Sequence, residues 1–137
     1  MTDDAGQPTR WSIAPCFLVD DVVATANWYR DKLGFQYERF WGEQPYFTMV
    51  FRRRVVIMLF QPPAKGLMRP NHLAHPEMEG AIDAYVWIDD ADALHAEYAA
   101  KGVTIVRAVC DQPCGCRDFD IEDCNGYWLC LGQDLNA

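Results

Sequence analysis

Seven side chains able to bind a soft or borderline metal crowd two short stretches of this chain. Cys110, Cys114, Cys116, Cys124 and Cys130 fall within 21 residues, and His72 and His75 flank Leu73-Ala74. Thiolates and imidazoles at short spacing are the donors of zinc sites, where paired cysteines typically stand about two residues apart on a tight knuckle. Here three, one, seven and five residues separate successive cysteines, and Cys130 falls inside an apolar strand pattern. That spacing predicts thiols of a reducing compartment, inert or mildly reactive, and not a metal cluster or a disulfide framework. Arg117 is the one cation beside them in sequence and would lower the Cys116 pKa. Pro70 and Pro76 oppose a helix that would hold both imidazoles on one face, so His72 and His75 are expected as solvent-exposed loop residues.

Charge narrows the partner. Twenty acidic residues against twelve basic ones give a net charge of −8. Such a surface repels phosphate backbones, which argues against nucleic acid, and it attracts cations as well as serving solubility. No apolar run approaches the ~20 residues that span a bilayer. Met1 to Arg10 is polar and lacks an apolar signal core. The expectation is a cytoplasmic protein with no membrane partner. At 137 residues, half of them hydrophobic, the chain is expected to be a single domain with a real core.

The elements that must position these residues occur twice. Ile13 to Asp21 is echoed by Ile82 to Asp90, and Ala24, Tyr29 and Lys32 by Ala93, Tyr98 and Lys101, at an offset of 69. In each copy a strand runs into Asp-Asp and then an amphipathic helix. Asp21 is the expected N-cap of a helix burying Val22, Ala26, Tyr29 and Leu33 and stopped by Gly34. Asp90 caps the second helix, with Ala91, Leu94 and Tyr98, stopped by Gly102. Strands are expected at Ser12 to Val19, Phe35 to Trp41, Tyr46 to Phe51 and Val55 to Phe60. The second set is Ile82 to Ile88, Val103 to Val109, Arg117 to Ile121 and Tyr127 to Leu131. Arg52-Arg53-Arg54 reads as a solvated hairpin turn, with a ligand anchor as the sharper possibility. The organisation is module one at about 11–61, a Pro-rich linker at 62–80, and module two at about 81–133. The fold class is α+β, with one helix-covered face and one open face per sheet.

Strand alternation assigns the open face. With Phe17, Val19, Val86 and Ile88 under the helices, Ala14, Cys16, Leu18, Asp83, Tyr85 and Trp87 face the other way. Trp128 and Cys130 join them from the last strand and Met58 from the first module, with Trp41 and Phe47 nearby. That is more apolar area than a solvated sheet face carries. It is sealed in a dimer interface or the barrel interior, or it stacks on a flat ligand, for which Asp83 and the acidic surroundings would select a positive charge.

The two Asp-Asp stops, the helix ending Trp28-Tyr29-Arg30-Asp31-Lys32-Leu33-Gly34-Phe35, and the late run Gly115-Cys116-Arg117-Asp118-Phe119-Asp120-Ile121-Glu122-Asp123-Cys124-Asn125-Gly126-Tyr127 resemble the glyoxalase/bleomycin-resistance/dioxygenase (vicinal oxygen chelate) superfamily. The resemblance spans roughly Trp11 to Gln133. It implies two tandem βαβββ modules forming a U-shaped half-barrel cleft, helices outside, commonly in dimers. It also implies metal ligands on the first and last strands of each module, which fall on Ala14, Met58, Asp83 and Cys130. One carboxylate and one thiolate cannot make the His/Glu/Gln set such enzymes use, so no metal, cofactor or catalytic residue is expected. The reading is a homodimeric binding protein of the bleomycin-resistance type, sequestering a planar or cationic ligand such as a peptide or heteroaromatic antibiotic. Its expected wall is Trp41, Phe47, Met58, Asp83, Tyr85, Trp87, Arg117, Phe119, Trp128 and Cys130. Arg117 either holds a ligand anion at the cleft mouth or pairs with a nearby Asp. The alternative is a divergent metal-dependent lyase, isomerase or dioxygenase recruiting an ion through Asp83, Cys130 or the two histidines.

Overall fold

The computed structural model describes residues 11–137. Met1 to Arg10, read above for a signal core, lie outside the described residues. The first module comprises β1 (Cys16–Leu18), α1 (Val22–Leu33), β2 (Phe47–Arg52) and β3 (Val55–Phe60). A four-residue helix, α2 (Asn71–Ala74), sits in the linker. The second module is β4 (Ala84–Ile88), α3 (Ala91–Ala100), β5 (Thr104–Asp111), β6 (Cys116–Glu122) and β7 (Trp128–Asp134).

Both long helices start as the repeat predicts. Asp21 is extended and its side chain accepts from the Ala24 amide; Asp90 does the same for Ala93, each at 3.0 Å. These are N-caps worth about 1 kcal/mol each. Gly34 ends α1 in the left-handed region, φ 74°, where a side chain would be strained and would meet the Arg52 guanidinium. Val22, Ala26, Tyr29 and Leu33 are fully buried, so the 3.6-residue stripe faces the core.

The two sheets follow one plan. The first has order β1-β3-β2 and the second β4-β7-β6-β5; in each, the opening strand runs parallel to the last, and the remaining pairs are antiparallel. Helix α1 packs on β2 and β3, and α3 on β5, β6 and β7, leaving the opposite faces open. This is the α+β arrangement of paired βαβββ modules. The expected strand at Phe35 to Trp41 is a correction. It pairs with β2 only at Gln36↔Phe51 and Trp41↔Phe47, while between them the Thr48 hydroxyl takes the Arg39 carbonyl at 2.6 Å. A side chain satisfies a carbonyl there that a ladder would otherwise take.

One core joins the modules. Phe17 stacks on Tyr127 with ring centroids 4.4 Å apart. The buried Tyr29 hydroxyl donates to Asp123 at 2.7 Å, and the Tyr98 hydroxyl donates to the Leu33 carbonyl at 3.0 Å. Asp123 also accepts from the Asn125 and Tyr127 amides, which fixes the β6–β7 turn. Burial raises the Asp123 pKa, and those three hydrogen bonds oppose the rise without overcoming it.

Candidate functional site

The open face of the second sheet concentrates the chemistry. Strand register sets Tyr85 beside Cys130, Trp87 beside Gly132, Cys130 beside Asp120, and Gly132 beside Asp118. Trp87 is 60% exposed and tilts against Tyr85, ring centroids 4.9 Å apart. The Tyr85 hydroxyl crosses Gly132, where a Cβ would collide with it, and donates to Asp118 at 3.0 Å. Burial first, then hydrogen bonds to Cys116 and Asp118, push the Tyr85 pKa well up, so it stays a neutral donor.

Below the two aromatics lies an ion-pair network. Arg107 donates to Asp118 at 2.5 Å and to Asp120 at 3.2 Å, and Gln112 adds a bond to Asp118 at 3.1 Å. Asp118 and Asp120 are buried. Burial raises the Asp118 pKa, but the bonds from Gln112, Arg107 and Tyr85 outweigh it and hold this carboxyl below the usual range. The Arg107 guanidinium also lies 2.9 Å from the Cys110 sulfur and 3.8 Å from that of Cys130. The sequence reading missed Arg107. Its signal was masked because β5 shifts register on both sides of it, between Ile105 and Arg107 and again before Cys110, which breaks period-two alternation.

Several expected wall residues stand elsewhere. Phe119 is wholly buried on the helix side, edge-on to His95 and Tyr98, because it pairs in register with Leu131 rather than with Cys130. Arg117 shares that parity and reaches α3, donating to Asp92 and Asp111 at 2.9 Å each; neither is a carboxylate of its own strand. Asp83 spends both oxygens on backbone amides, those of Asn71 and Trp128, each at 2.9 Å. It ties the linker to β7, with each oxygen already hydrogen-bonded within the chain. Cys130 is buried, and desolvation by burial, then Asp120, pushes its thiol pKa well up.

His72 corrects the expectation of exposed loop histidines. It sits in α2, stacks face to face on Trp128 at 3.8 Å, and its Nε2 meets the Gly126 carbonyl at 2.7 Å. Trp128 in turn donates its indole N–H to Glu122 at 3.0 Å, so one of its faces is covered from within the chain. The His75 side chain, more than half exposed, lies 3.4 Å from Glu77. Trp41, Phe47 and Met58 belong to the first sheet: Trp41 is edge-on to Phe47 at 5.5 Å, with Arg39 over its ring, and Met58 pairs with Cys16 and Met49.

A cavity of about 880 Å³ lies at the junction of the modules, against the β2–β3 turn and the start of α3. Its rim is self-neutralised: Arg52 pairs with Glu97 at 2.7 Å and Arg53 with Asp89 at 2.5 Å. Two of the three consecutive arginines thus brace one module against the other. A second cleft, about 480 Å³, is lined by Tyr85, Trp87, Cys114, Cys116, Asp134 and Asn136 and adjoins the aromatic face.

The model of the glyoxalase/bleomycin resistance protein/dioxygenase superfamily matches residues 13–131. The chain belongs to this superfamily. Among solved structures it is similar to TioX from Micromonospora sp. ML1, at 16% identity over 92% of this chain and 100% of that one, TM-score 0.70. A glyoxalase-related enzyme from Clostridium phytofermentans gives 18% identity, coverage of 93% and 97%, and TM-score 0.72. The bleomycin-binding protein of bleomycin-producing Streptomyces verticillus, complexed with copper(II)-bleomycin, gives 22% identity, coverage of 93% and 97%, and TM-score 0.62. No curated protein matches the sequence significantly. At these identities the structural likeness shows the fold. The superfamily's metal-ligand positions, mapped to Ala14, Met58, Asp83 and Cys130, do not fit a divalent transition metal. Alanine has no donor, Met58 offers only a thioether, Asp83 is committed to two amides, and Cys130 is held protonated.

Proposed function

We propose that this protein binds a planar or cationic small molecule on the open face of its second sheet and holds it without covalent chemistry, as a resistance protein sequesters an antibiotic. The observation that carries the reading is Trp87: a tryptophan 60% exposed, braced by Tyr85, on a face whose floor is a satisfied ion-pair network. A large indole held in place but left uncovered is unusual on a solvated sheet and suits stacking. Asp134 lines the adjoining cleft, and the net charge of −8 favours a cation. Titrating planar heteroaromatic cations into the protein should shift or quench its tryptophan emission saturably. A panel that leaves the emission unchanged would contradict the reading.

The same reading makes the protein a cytoplasmic homodimer. Among the described residues no helix is long and apolar enough to cross a membrane. The first sheet's open face carries Leu18, 37% exposed, with Met58, Met49, Phe60 and Phe47 alongside it, an apolar stretch that a second copy would cover. Sedimentation should show a species of twice 15.7 kDa at micromolar concentration, and a persistent monomer would count against it.

A further inference from the structure

The β5–β6 turn carries a thiol pair that the ligand-binding reading does not use. Cys114 and Cys116 flank Gly115, which turns the chain at φ 88°, a conformation that glycine adopts freely. The turn is pinned: the Gln112 amide donates to the Cys116 carbonyl at 2.7 Å, and the Leu135 amide to the Gly115 carbonyl at 3.0 Å. Both cysteines line the 480 Å³ cleft with Tyr85, Trp87 and Asp134, and both are free thiols, Cys114 exposed and Cys116 buried. They stand two residues apart across this turn and open on the same cleft.

We propose that Cys114 and Cys116 form a two-coordinate site for a soft monovalent cation of the Cu(I) type. Thiolates select soft ions. Zinc requires four protein donors at a structural site, and among the described residues no group of three His, Cys, Asp or Glu side chains converges. Two thiolates with no third donor suit an ion content with two ligands. Asp134 and the acidic surroundings favour a cation, whereas Cys110 and Cys130 lie against the Arg107 guanidinium, which repels one. Binding breaks two S–H bonds, forms two S–Cu bonds and releases two protons to water; no oxidation state changes.

The test uses the full chain, reduced and kept under anaerobic conditions, titrated with Cu(I) against a competing Cu(I) chelator. The wild type should withdraw one equivalent. Loss of even an outer-shell partner costs about 10–100-fold in metal affinity, so losing a ligand should cost at least about a hundredfold. Cys114→Ser, at an exposed position that spares the fold, should show that loss, and so should Cys116→Ser, while Cys110→Ser should retain the metal. Should the buried Cys116→Ser variant fail to fold by circular dichroism, Cys114→Ser decides alone. Failure of the wild type to withdraw copper, or full retention by Cys114→Ser, would overturn the site. The two readings have separate readouts: chelator competition follows the copper in Cys114→Ser, and titration of the same variant's tryptophan emission with a planar cation follows the organic ligand.

Discussion

The two open faces are copies of one another position by position, and they carry opposite chemistry. Register aligns Cys16 with Tyr85, Leu18 with Trp87, Phe60 with Gly132, Met58 with Cys130, Met49 with Asp120 and Phe47 with Asp118. On the first sheet all six side chains are uncharged and largely apolar. On the second, two buried carboxylates and the partly exposed Arg107 form an ion-pair network, and Gly132 leaves room for Tyr85 to cross the strand and cap it. The backbone plan is therefore indifferent to what its open face does. In the function proposed above, the apolar face meets a second copy and the face with the ion-pair network meets the ligand.

Substitutions at paired positions break this comparison most sharply. Asp118→Ala strips Arg107, Tyr85 and Gln112 of a shared acceptor. The Arg107 left behind is a third exposed and keeps Asp120, so the expected cost is that of unmade hydrogen bonds to a charged group, about 1.5–3 kcal/mol. Phe47→Ala at the matched position should cost less, since Phe47 is only half-buried and leaves no charge behind. Denaturant midpoints measure both. The Asp118 carboxyl sits below its ordinary pKa in the folded state, so its contribution is present above the unfolded value near pH 4 and is lost as pH falls through the lower folded one. The gap between wild type and Asp118→Ala should close in that acid range; a gap that persists there would mean the network is not ionic.

Gly132→Ala comes next. A Cβ there forces Tyr85 off its strand and breaks its bond to Asp118, an overpacking cost of about 1–3 kcal/mol. The expected variant folds, but Trp87 loses its brace, so its emission should broaden and shift red. An unchanged spectrum would show that Tyr85 does not position the indole.

The helices, their Asp caps and the strand–helix order of each module were legible because they rest on local signals: capping residues, a 3.6-residue apolar stripe and a repeat offset of 69. The exposed aromatics Tyr85 and Trp87 were legible from alternation. What alternation missed, it missed for physical reasons. Phe119 and Arg117 were placed on the cleft by their motif, whereas their register with Leu131 and Gln133 puts them on the helix side. Asp83 looked like a free carboxylate because its amide partners, Asn71 and Trp128, are 12 and 45 residues away. The stacking of His72 on Trp128 likewise depends on how the linker folds back, which no local pattern encodes.

The central claim is that the second sheet, and not the first, recognises the ligand. The most direct measurement is the dissociation constant of the tightest planar cation for wild type, Trp87→Ala and Trp41→Ala. Among the described residues Tyr85 is the one aromatic ring paired with the exposed Trp87, so its loss should leave stability within about 0.5 kcal/mol. Stacking contributes about 0.5–1.5 kcal/mol beyond area burial, and with that area lost as well Trp87→Ala should weaken binding about tenfold or more. Trp41→Ala, on the first sheet's face, should leave the constant unchanged. Equal weakening by both variants, or by neither, would contradict the account.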